Sequence, residues 1–406
     1  MADGKTLDPD RRLLRDFLIL GGGFFLVALL VYAGLLSHGT PFPRDGSGLV
    51  VGRDFLNFWM YGRAAASEQP WAWYDIDTYQ RAIAAIVGPH YPGQIWSYPP
   101  SLMLLLVPFG QVAYLPALAM WTVIGLAILL GVARWQGWNR QVLLATLVSP
   151  ASFFGLISGQ GTFLIVAALV SIFFLSNRRP IVAGLLIAML TLKPQIGLLF
   201  PLALAAAGRW RIFAAAALGA IIIAGATAAA FGMESWRAFF REGIPTQNLA
   251  LIDRAGIVGP FCPTIFMNLH SAGLSYGFAM AVQMVFALFA AAALIWMFRR
   301  HPRANPYLLM TIFTLCTATA VPYLFFYDTL PMTLGGLLLL QKGLLDAAGR
   351  VLVRFVYWLP LLQIGFGVLH LPGPALIAPV FLVVLLSSVA RWSAGSMHGE
   401  VADLSR

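Results

Sequence analysis

Charged residues are scarce in this 406-residue chain. Asp, Glu, Lys and Arg together make up 10% of it, whereas hydrophobic residues make up 60%. A soluble globular domain carries roughly 25% charged residues, so this composition excludes that class. It predicts an all-α polytopic membrane protein, because helices satisfy their own backbone hydrogen bonds within lipid.

Cysteine and histidine are also rare, with two and six residues respectively. Cys262 and Cys316 give neither a disulfide framework nor metal-ligand spacing. The chain lacks a phosphate-binding glycine loop, a dinucleotide-binding glycine motif and a Ser-His-Asp order. We therefore predict no metal and no cofactor.

Long apolar runs are abundant and predict about twelve transmembrane helices. Runs of about 17–25 residues, the length that crosses a bilayer, lie at 16–36, 115–133, 141–157, 161–177, 212–231, 277–298, 306–325, 351–370 and 373–390. Shorter runs lie at 181–192, 196–207 and 328–341. The first two short runs flank Lys193-Pro194-Gln195, which indicates helices that end part-way across the membrane, at a cavity.

The distribution of positive charge orients this layout. With the N-terminus inside, the inner loops and tails hold 18 of the 26 cations, whereas the outer side holds slightly more acids than cations. This asymmetry follows the positive-inside rule, so the net charge of +10 does not indicate a nucleic-acid partner. We predict a multi-pass protein of the bacterial inner membrane, with cytoplasmic tails at 1–15 and 393–406 and a transmembrane domain at 16–392.

Two long loops, 37–98 and 232–262, are predicted to face the periplasm. Connections of this length are usually functional or disordered, and the aromatic composition of the first loop is not that of disorder. Stretches 55–66 and 77–87 are predicted to form short amphipathic helices on the bilayer surface. The apolar segment 101–110 is too short to span, and we predict an interfacial or re-entrant helix there.

Asp54 lies just after the first apolar run, among the Phe, Trp and Tyr residues of the first outer loop. A carboxylate at a membrane surface is costly to desolvate, so it needs a partner or a function. As a general base it would take the proton of an acceptor hydroxyl during sugar transfer, worth about 10²–10⁴-fold in rate. The alternative is a salt bridge to Arg53 or Arg63 that only fixes the loop.

Lys193 interrupts an apolar stretch on the outward side of the membrane. An ammonium group there must find an anion or water, and the phosphate of a lipid-linked sugar would supply the anion. The alternative is that Lys193 extends to the membrane surface. Gln195 follows it and can donate amide hydrogen bonds to a sugar, and Gln160 offers a second amide in the Ser-Gly-Gln-Gly break at 158–161, which otherwise forms a plain turn.

Tyr323, Tyr327 and Asp328 form a third candidate group at the outward end of a predicted helix. The two tyrosines are four residues apart and are predicted to share a helix face, which makes a sugar-binding site beside the acid. Alternatively, Asp328 caps the next helix and the tyrosines belong to an interfacial belt. Arg254 in the second loop is a candidate phosphate ligand or a lipid head-group contact.

Ordered motifs from about residue 50 to residue 330 resemble the membrane glycosyltransferases of family 87, which includes polyprenyl-phosphate-mannose-dependent mannosyltransferases. The matching residues are Asp54-Phe55, Phe58-Trp59, Trp73-Tyr74-Asp75, Tyr98-Pro99-Pro100, Pro108, Trp121, Gly159-Gln160, Arg179-Pro180, Ala183-Gly184, Lys193-Pro194-Gln195, Phe231-Gly232, Trp236, Pro322-Tyr323 and Tyr327-Asp328. The chain has Pro322-Tyr323 where a Pro-His step is expected.

This resemblance implies a GT-C-like bundle and a polyprenyl-phosphate-linked sugar donor. It also implies inverting, metal-independent transfer to a lipid or envelope-glycan acceptor, with Asp54 as the base. Aromatic stacking from Trp59 or Tyr98 would suit most pyranose sugars, mannose among them. The alternatives are a transporter or lipid flippase, which would carry ionisable residues deep in several helices, and a non-catalytic membrane scaffold.

Overall fold

The computed structural model describes residues 8–37, 39–89, 91, 94–253 and 255–395. Over these residues the chain is helical, with one isolated β-bridge between Arg44 and Val50. The helices before the Lys193 break are α1 (Pro9–Gly34), α2 (Phe55–Ala64), α3 (Ile76–Val87), α4 (Ser101–Gly110), α5 (Tyr114–Trp135), α6 (Arg140–Leu147), α7 (Pro150–Ile157), α8 (Thr162–Leu175) and α9 (Pro180–Met189).

Among the described residues after Lys193, the chain adds twelve helices. They are α10 (Pro194–Gly197), α11 (Phe200–Ala206), α12 (Trp210–Phe231), α13 (Met233–Ala238), α14 (Ile244–Asp253), α15 (Ala255–Val258), α16 (Ile265–Ser271), α17 (Tyr276–Arg300), α18 (Pro306–Ala320), α19 (Leu330–Gln341), α20 (Ala347–Val368) and α21 (Ile377–Gly395). Short 3₁₀ segments lie at Ala72–Tyr74, Leu190–Leu192, Gly259–Phe261, Phe326–Thr329 and Pro374–Leu376, and a π-helical segment lies at Phe239–Gly243.

Six helices in the described part of the chain are long and apolar enough to cross a membrane, namely α1, α5, α12, α17, α20 and α21 with the turn before it. Helices α6 and α7, bent by 50° at their junction, make a seventh span if they are counted as one. The prediction of about twelve crossings is therefore not confirmed. Proline explains part of the difference, because Pro194 follows α9 and its 3₁₀ turn and Pro322 follows α18, so neither helix continues to the length of a full crossing.

The helical bundle, which we define as residues 114–395, has its core in α18 and α19. Almost every side chain of these two helices is buried. The surrounding helices α1, α5, α12 and α17 instead leave broad apolar faces exposed, as a lipid-facing surface requires. Helices α9 and α12 approach closely at Gly184 and Gly219, where an added Cβ would lie 2.6 Å and 2.8 Å from alanine Cβ atoms of the other helix.

The aromatic cap, which we define as residues 39–112, contains α2, α3 and α4. The short helix predicted at residues 55–66 is present as α2, but eight of its ten residues are buried, so it lies inside the cap and not exposed on a surface. Helix α2 crosses α4 so closely that a Cβ on Gly62 would lie 2.3 Å from the Leu106 carbonyl oxygen. The segment 101–110 does form a short helix, α4, with those bounds.

The segment after α12 is helical and packs on the aromatic cap. The Phe239 and Tyr74 rings lie 6.0 Å apart, and the Ser97 hydroxyl donates to the Gln247 side chain at 2.5 Å. The two long loops predicted from the sequence therefore contact each other directly, next to Tyr98.

Candidate active site

Asp54 lies at the start of α2 but does not cap it. Aspartate in this position usually accepts a hydrogen bond from the first turn of its helix, yet the Asp54 side chain makes no such bond. Its Oδ2 instead accepts hydrogen bonds from Gln160 Nε2 and from the Tyr327 hydroxyl, each at 2.9 Å. Its Oδ1 has no partner among the described residues, and the residue is half-buried. One oxygen is thus fixed and the other is free.

The turn at 158–161 holds both the backbone and the side chain of Asp54. The Ser158 carbonyl accepts from the Asp54 and Phe55 amides at 3.1 Å and 3.3 Å. Gly159 has a φ of +62°, and a Cβ there would lie 2.5 Å from the Phe55 Cβ, so only glycine permits this approach. Gln160, 7% exposed, donates to Asp54. This turn is therefore more than a plain connection.

The predicted helix face shared by Tyr323 and Tyr327 does not exist. Helix α18 ends at Ala320, and Val321 is extended because it precedes Pro322. A 3₁₀ turn then begins at Phe326 and presents Tyr327 and Asp328 together. Tyr327 is 4% exposed and its hydroxyl reaches Asp54, whereas the Tyr323 ring packs edge-on against Phe325.

Lys193 and Asp328 form a buried ion pair next to Tyr327. Pro194 restricts Lys193 to an extended conformation between two helical segments, and its ammonium group contacts Asp328 Oδ1. The side chains are 9% and 2% exposed, so extension of Lys193 to the surface is excluded. Lys193 Nζ also lies 5.3 Å from the centre of the Tyr327 ring, a cation–π distance.

Tyr98 completes the group of residues that the fold brings together. Burial raises the pKa of the Tyr98 phenol, and the charges of Lys193, Asp54 and Asp328 and the Gln160 amide lie close enough to shift that pKa as well. Four segments far apart in the sequence thus converge around Asp54, and we call them the polar cluster: Asp54, Tyr98, Gln160, Lys193, Tyr327 and Asp328.

Three other candidates do not hydrogen-bond to this cluster, and a fourth cannot be placed. The Trp59 indole donates to the Val112 carbonyl at 2.8 Å and is buried in the aromatic cap. Gln195 is half-buried without a hydrogen-bond partner among the described residues. Tyr323 packs against the small apolar cluster that contains Cys262 and Phe266. Arg254 lies outside the described residues.

Neither arginine considered as an ion-pair partner of Asp54 takes that role. Arg53 pairs with Asp45, with 2.8 Å between Nε and Oδ2, and Arg63 lies 4.9 Å over the Trp59 ring. Asp45 was not singled out from the sequence, although its Asp-Gly-Ser context is typical of a turn in which the aspartate bonds its own backbone. Burial alone would raise the pKa of Asp45, but hydrogen bonds from Ser47 and the charge of Arg53 lower this pKa below its ordinary value.

Two small pockets adjoin the polar cluster, one at Gln160 and the other at Asp328. The first is lined by Gln160, Trp121 and four glycines, Gly125, Gly155, Gly159 and Gly161. The second is apolar except for Asp328 and two threonines of α18. No group of three potential metal ligands occurs in the described ranges.

Comparison with curated proteins gave no match, and comparison with solved structures gave none either. Residues 96–322 do match the sequence profile of glycosyltransferase family 87. The match includes Tyr98, Gln160 and Lys193 of the polar cluster and ends just before Tyr327. Because it covers more than half of the chain, we conclude that this membrane protein belongs to glycosyltransferase family 87.

Proposed function

We propose that this protein is an inverting glycosyltransferase whose donor is a polyprenyl-phosphate-linked sugar, such as mannose. The acceptor is a lipid or an envelope glycan, and the reaction takes place at the outer face of the inner membrane. The surplus of cations in the opposite loops supports this orientation. In this proposal the remaining short helices complete a GT-C-like bundle of about twelve.

The observation that carries the proposal is the asymmetry of the Asp54 carboxyl group. Gln160 and Tyr327 both donate to Oδ2, which fixes the plane of the carboxyl group and leaves Oδ1 for a further hydrogen. A general base needs this combination of fixed orientation and one available oxygen. A carboxylate that only stabilised the loop would use its oxygens on the loop itself.

The reaction then proceeds in one displacement. The acceptor hydroxyl gives its proton to Asp54 Oδ1 while its oxygen forms a bond to the anomeric carbon of the sugar. The bond from that carbon to the phosphate oxygen breaks on the opposite side, so the configuration inverts and polyprenyl phosphate leaves with both electrons. Alignment of acceptor and donor supplies much of the rate, because bound reactants no longer need to find each other.

Lys193 is proposed to stabilise the departing phosphate, with Arg254 as a second cation. The ion pair with Asp328 supports this assignment, since it keeps an ammonium group buried beside Tyr327 without a donor present. Tyr98, Gln160, Gln195, Tyr323, Tyr327 and Asp328 are proposed to contact the sugar or the acceptor. Trp59 contributes by supporting the cap, because its indole is already bonded to Val112.

The test uses the purified full-length chain in lipid nanodiscs with radiolabelled polyprenyl-phosphate mannose and lipids extracted from the source cells. We expect label to move to an acceptor lipid or glycan, and no transfer when a nucleotide-linked mannose replaces the prenyl donor. Movement of the intact donor across proteoliposomes without any transfer would overturn the proposal in favour of a flippase. Analysis of envelope glycans after deletion of the gene would identify the sugar and the acceptor.

A further inference from the structure

Arg53, the residue before Asp54, has a backbone conformation that non-glycine residues rarely adopt. Its φ is +33°, and His370 is the only other described non-glycine residue with a positive φ. Such a conformation is strained and persists only where the surroundings impose it. Gly52, with a φ of +82°, precedes it. These two left-handed residues turn the chain so that α2 begins with Asp54 directed at Gln160 and Tyr327.

The side chain and backbone of Arg53 are both held. Its Nε donates to Asp45 Oδ2 at 2.8 Å, its amide donates to the Val50 carbonyl at 2.7 Å, and its own carbonyl accepts from Gln94 at 3.3 Å. The side chain of Arg53 is 30% exposed, whereas that of Asp45 is 2% exposed. The ion pair is therefore anchored on a nearly inaccessible carboxylate.

Asp45 is in turn fixed by its own turn. Its Oδ1 accepts from the Ser47 amide at 2.9 Å and from the Ser47 hydroxyl at 2.5 Å. Its amide donates to the Leu49 carbonyl and its carbonyl accepts from Gly48, both at 2.8 Å. Each carboxylate oxygen of Asp45 thus has one partner residue, Ser47 for Oδ1 and Arg53 for Oδ2, so the carboxylate is a rigid support for Arg53.

We propose that Asp45 is a positioning residue that acts through Arg53 to hold the Asp54 carboxyl group at its working angle. This inference rests on the proposed role of Asp54 as the base. The Ser158 carbonyl holds the Asp54 amide on one side, and the Asp45–Arg53 ion pair holds the preceding residue on the other. Without the ion pair, the strained Arg53 backbone relaxes and Asp54 turns away from Gln160 and Tyr327.

The main test is Asp45→Asn, which removes the charge but keeps the side-chain size and an oxygen for Ser47. We expect kcat to fall by about 10²-fold, because a displacement of about 1 Å in a reacting group costs that much, while KM for the prenyl donor changes by less than about twofold. Arg53→Gly removes the ion pair and leaves a backbone that adopts positive and negative φ with similar ease, so Asp54 is no longer held and kcat should fall equally. Arg53→Lys restores part of the rate by restoring the charge.

The control is Glu234→Gln, which removes an exposed ion pair with Arg237 at 3.1 Å in the segment after α12 and leaves kcat unchanged. Asp45→Asn should lower activity no further in an Asp54→Asn background, because it acts only through that carboxylate. Wild-type kcat in both Asp45→Asn and Arg53→Gly, or an equal loss with and without Asp54, overturns the inference. Full activity of Asp54→Asn alone would instead refute the proposed function.

Discussion

In the aromatic cap, polar side chains cross from one segment to another, whereas in the helical bundle many remain on their own helix. The Tyr74 hydroxyl donates to the Tyr98 carbonyl at 2.7 Å, and the Trp59 indole donates to the Val112 carbonyl at 2.8 Å. The Thr311 and Thr317 hydroxyls of α18 instead donate to carbonyls one turn earlier in the same helix, at 2.7 Å and 2.9 Å.

This difference reflects two ways of fixing a segment: hydrogen bonds between segments position the cap, whereas packing holds the helices of the bundle in the membrane. A loop has no internal ladder of hydrogen bonds, so cross-links to backbone carbonyls are what fix its path. A helix in lipid already satisfies its backbone, so its packing depends on shape and on small residues. Asp54 stands where the two regions meet. Its backbone belongs to the cap, and its hydrogen-bond donors, Gln160 and Tyr327, belong to the bundle.

The largest effect is expected at this meeting point, from Asp54→Asn. Loss of the base should lower the transfer rate by about 10²–10⁴-fold with thermal stability almost unchanged, since the asparagine oxygen still accepts from Gln160 and Tyr327. Radiolabel transfer per folded molecule measures the rate. Asp75→Asn is the matched control, because Asp75 is an exposed cap residue of α3 and asparagine caps equally well. Equal activity in the two variants would remove Asp54 from the mechanism.

The next-largest effect tests whether a residue of the bundle orients the Asp54 carboxyl group of the cap. Tyr327→Phe removes one of two hydrogen bonds to Asp54 Oδ2, and bonds to charged groups contribute about 1.5–3 kcal/mol. We expect kcat to fall by about 10- to 100-fold with little change in donor affinity. Tyr276→Phe, which changes an exposed phenol at the start of α17 outside the polar cluster, should change kcat by less than about threefold. The opposite ranking of these two variants would contradict the assigned geometry.

Local patterns in the sequence predicted what depends on neighbouring residues. Segment 101–110 was predicted as a short helix, and its bounds are confirmed in α4, because Pro99-Pro100 precedes it and Gly110 ends its apolar run. The shared helix face of Tyr323 and Tyr327 was wrong because Pro322 interrupts the helix that an apolar run alone would continue. The predicted count of about twelve crossings is not confirmed for a similar reason, since hydrophobicity does not reveal where a helix stops inside an apolar run.

Contacts between distant segments could not be predicted from one sequence. Asp54 and Gln160 were each identified as candidates, but 106 residues separate them and no local pattern pairs them. The same holds for Lys193 and Asp328, whose ion pair joins two helix interruptions. Arg53 was considered as a partner of Asp54, whereas the left-handed backbone at Arg53 directs its side chain to Asp45 instead.

A smaller effect is expected from changes at two glycines where helices approach closely, Gly62 in the cap and Gly219 in the bundle. A Cβ on Gly62 meets the Leu106 carbonyl oxygen at 2.3 Å, and a Cβ on Gly219 meets the Ala188 Cβ at 2.8 Å. Each change to alanine should cost about 1–3 kcal/mol of stability through overpacking. Only Gly62→Ala should also lower kcat, by about 10-fold, because it displaces the helix that begins at Asp54.

Thermal unfolding in detergent measures the loss of stability, and the transfer rate per folded molecule measures the loss of kcat. Loss of kcat in Gly219→Ala, at a temperature where both variants are folded, would mean that the bundle positions Asp54 as tightly as the cap does. The distinction between the two regions would then not hold.

The smallest effect concerns Asp346 at the start of α20, which caps that helix and pairs with Arg391 of α21 at 2.6 Å. The Gly349 amide hydrogen bond, with Ser388 and Arg391, lowers the pKa of Asp346 below 3.8. An acid whose pKa is lower in the folded chain than in the unfolded chain stabilises the fold at pH values above its unfolded pKa. This contribution is lost as the pH falls through its folded pKa. Stability should therefore decline below about pH 4, with at most about 1 kcal/mol from this partly exposed group.

Asp346→Asn should flatten that decline, because asparagine keeps the cap but cannot be protonated. The measurement is the midpoint of thermal unfolding between pH 3 and pH 6, compared with Asp77→Asn, which removes an exposed acid from α3 of the cap. A pH dependence identical to wild type in Asp346→Asn would show that the acid sensitivity arises elsewhere. Because the proposed catalytic residues lie in the polar cluster and Asp346 does not belong to it, Asp346→Asn should leave transfer at neutral pH unchanged. This result would separate the stability of the bundle from the positioning of Asp54.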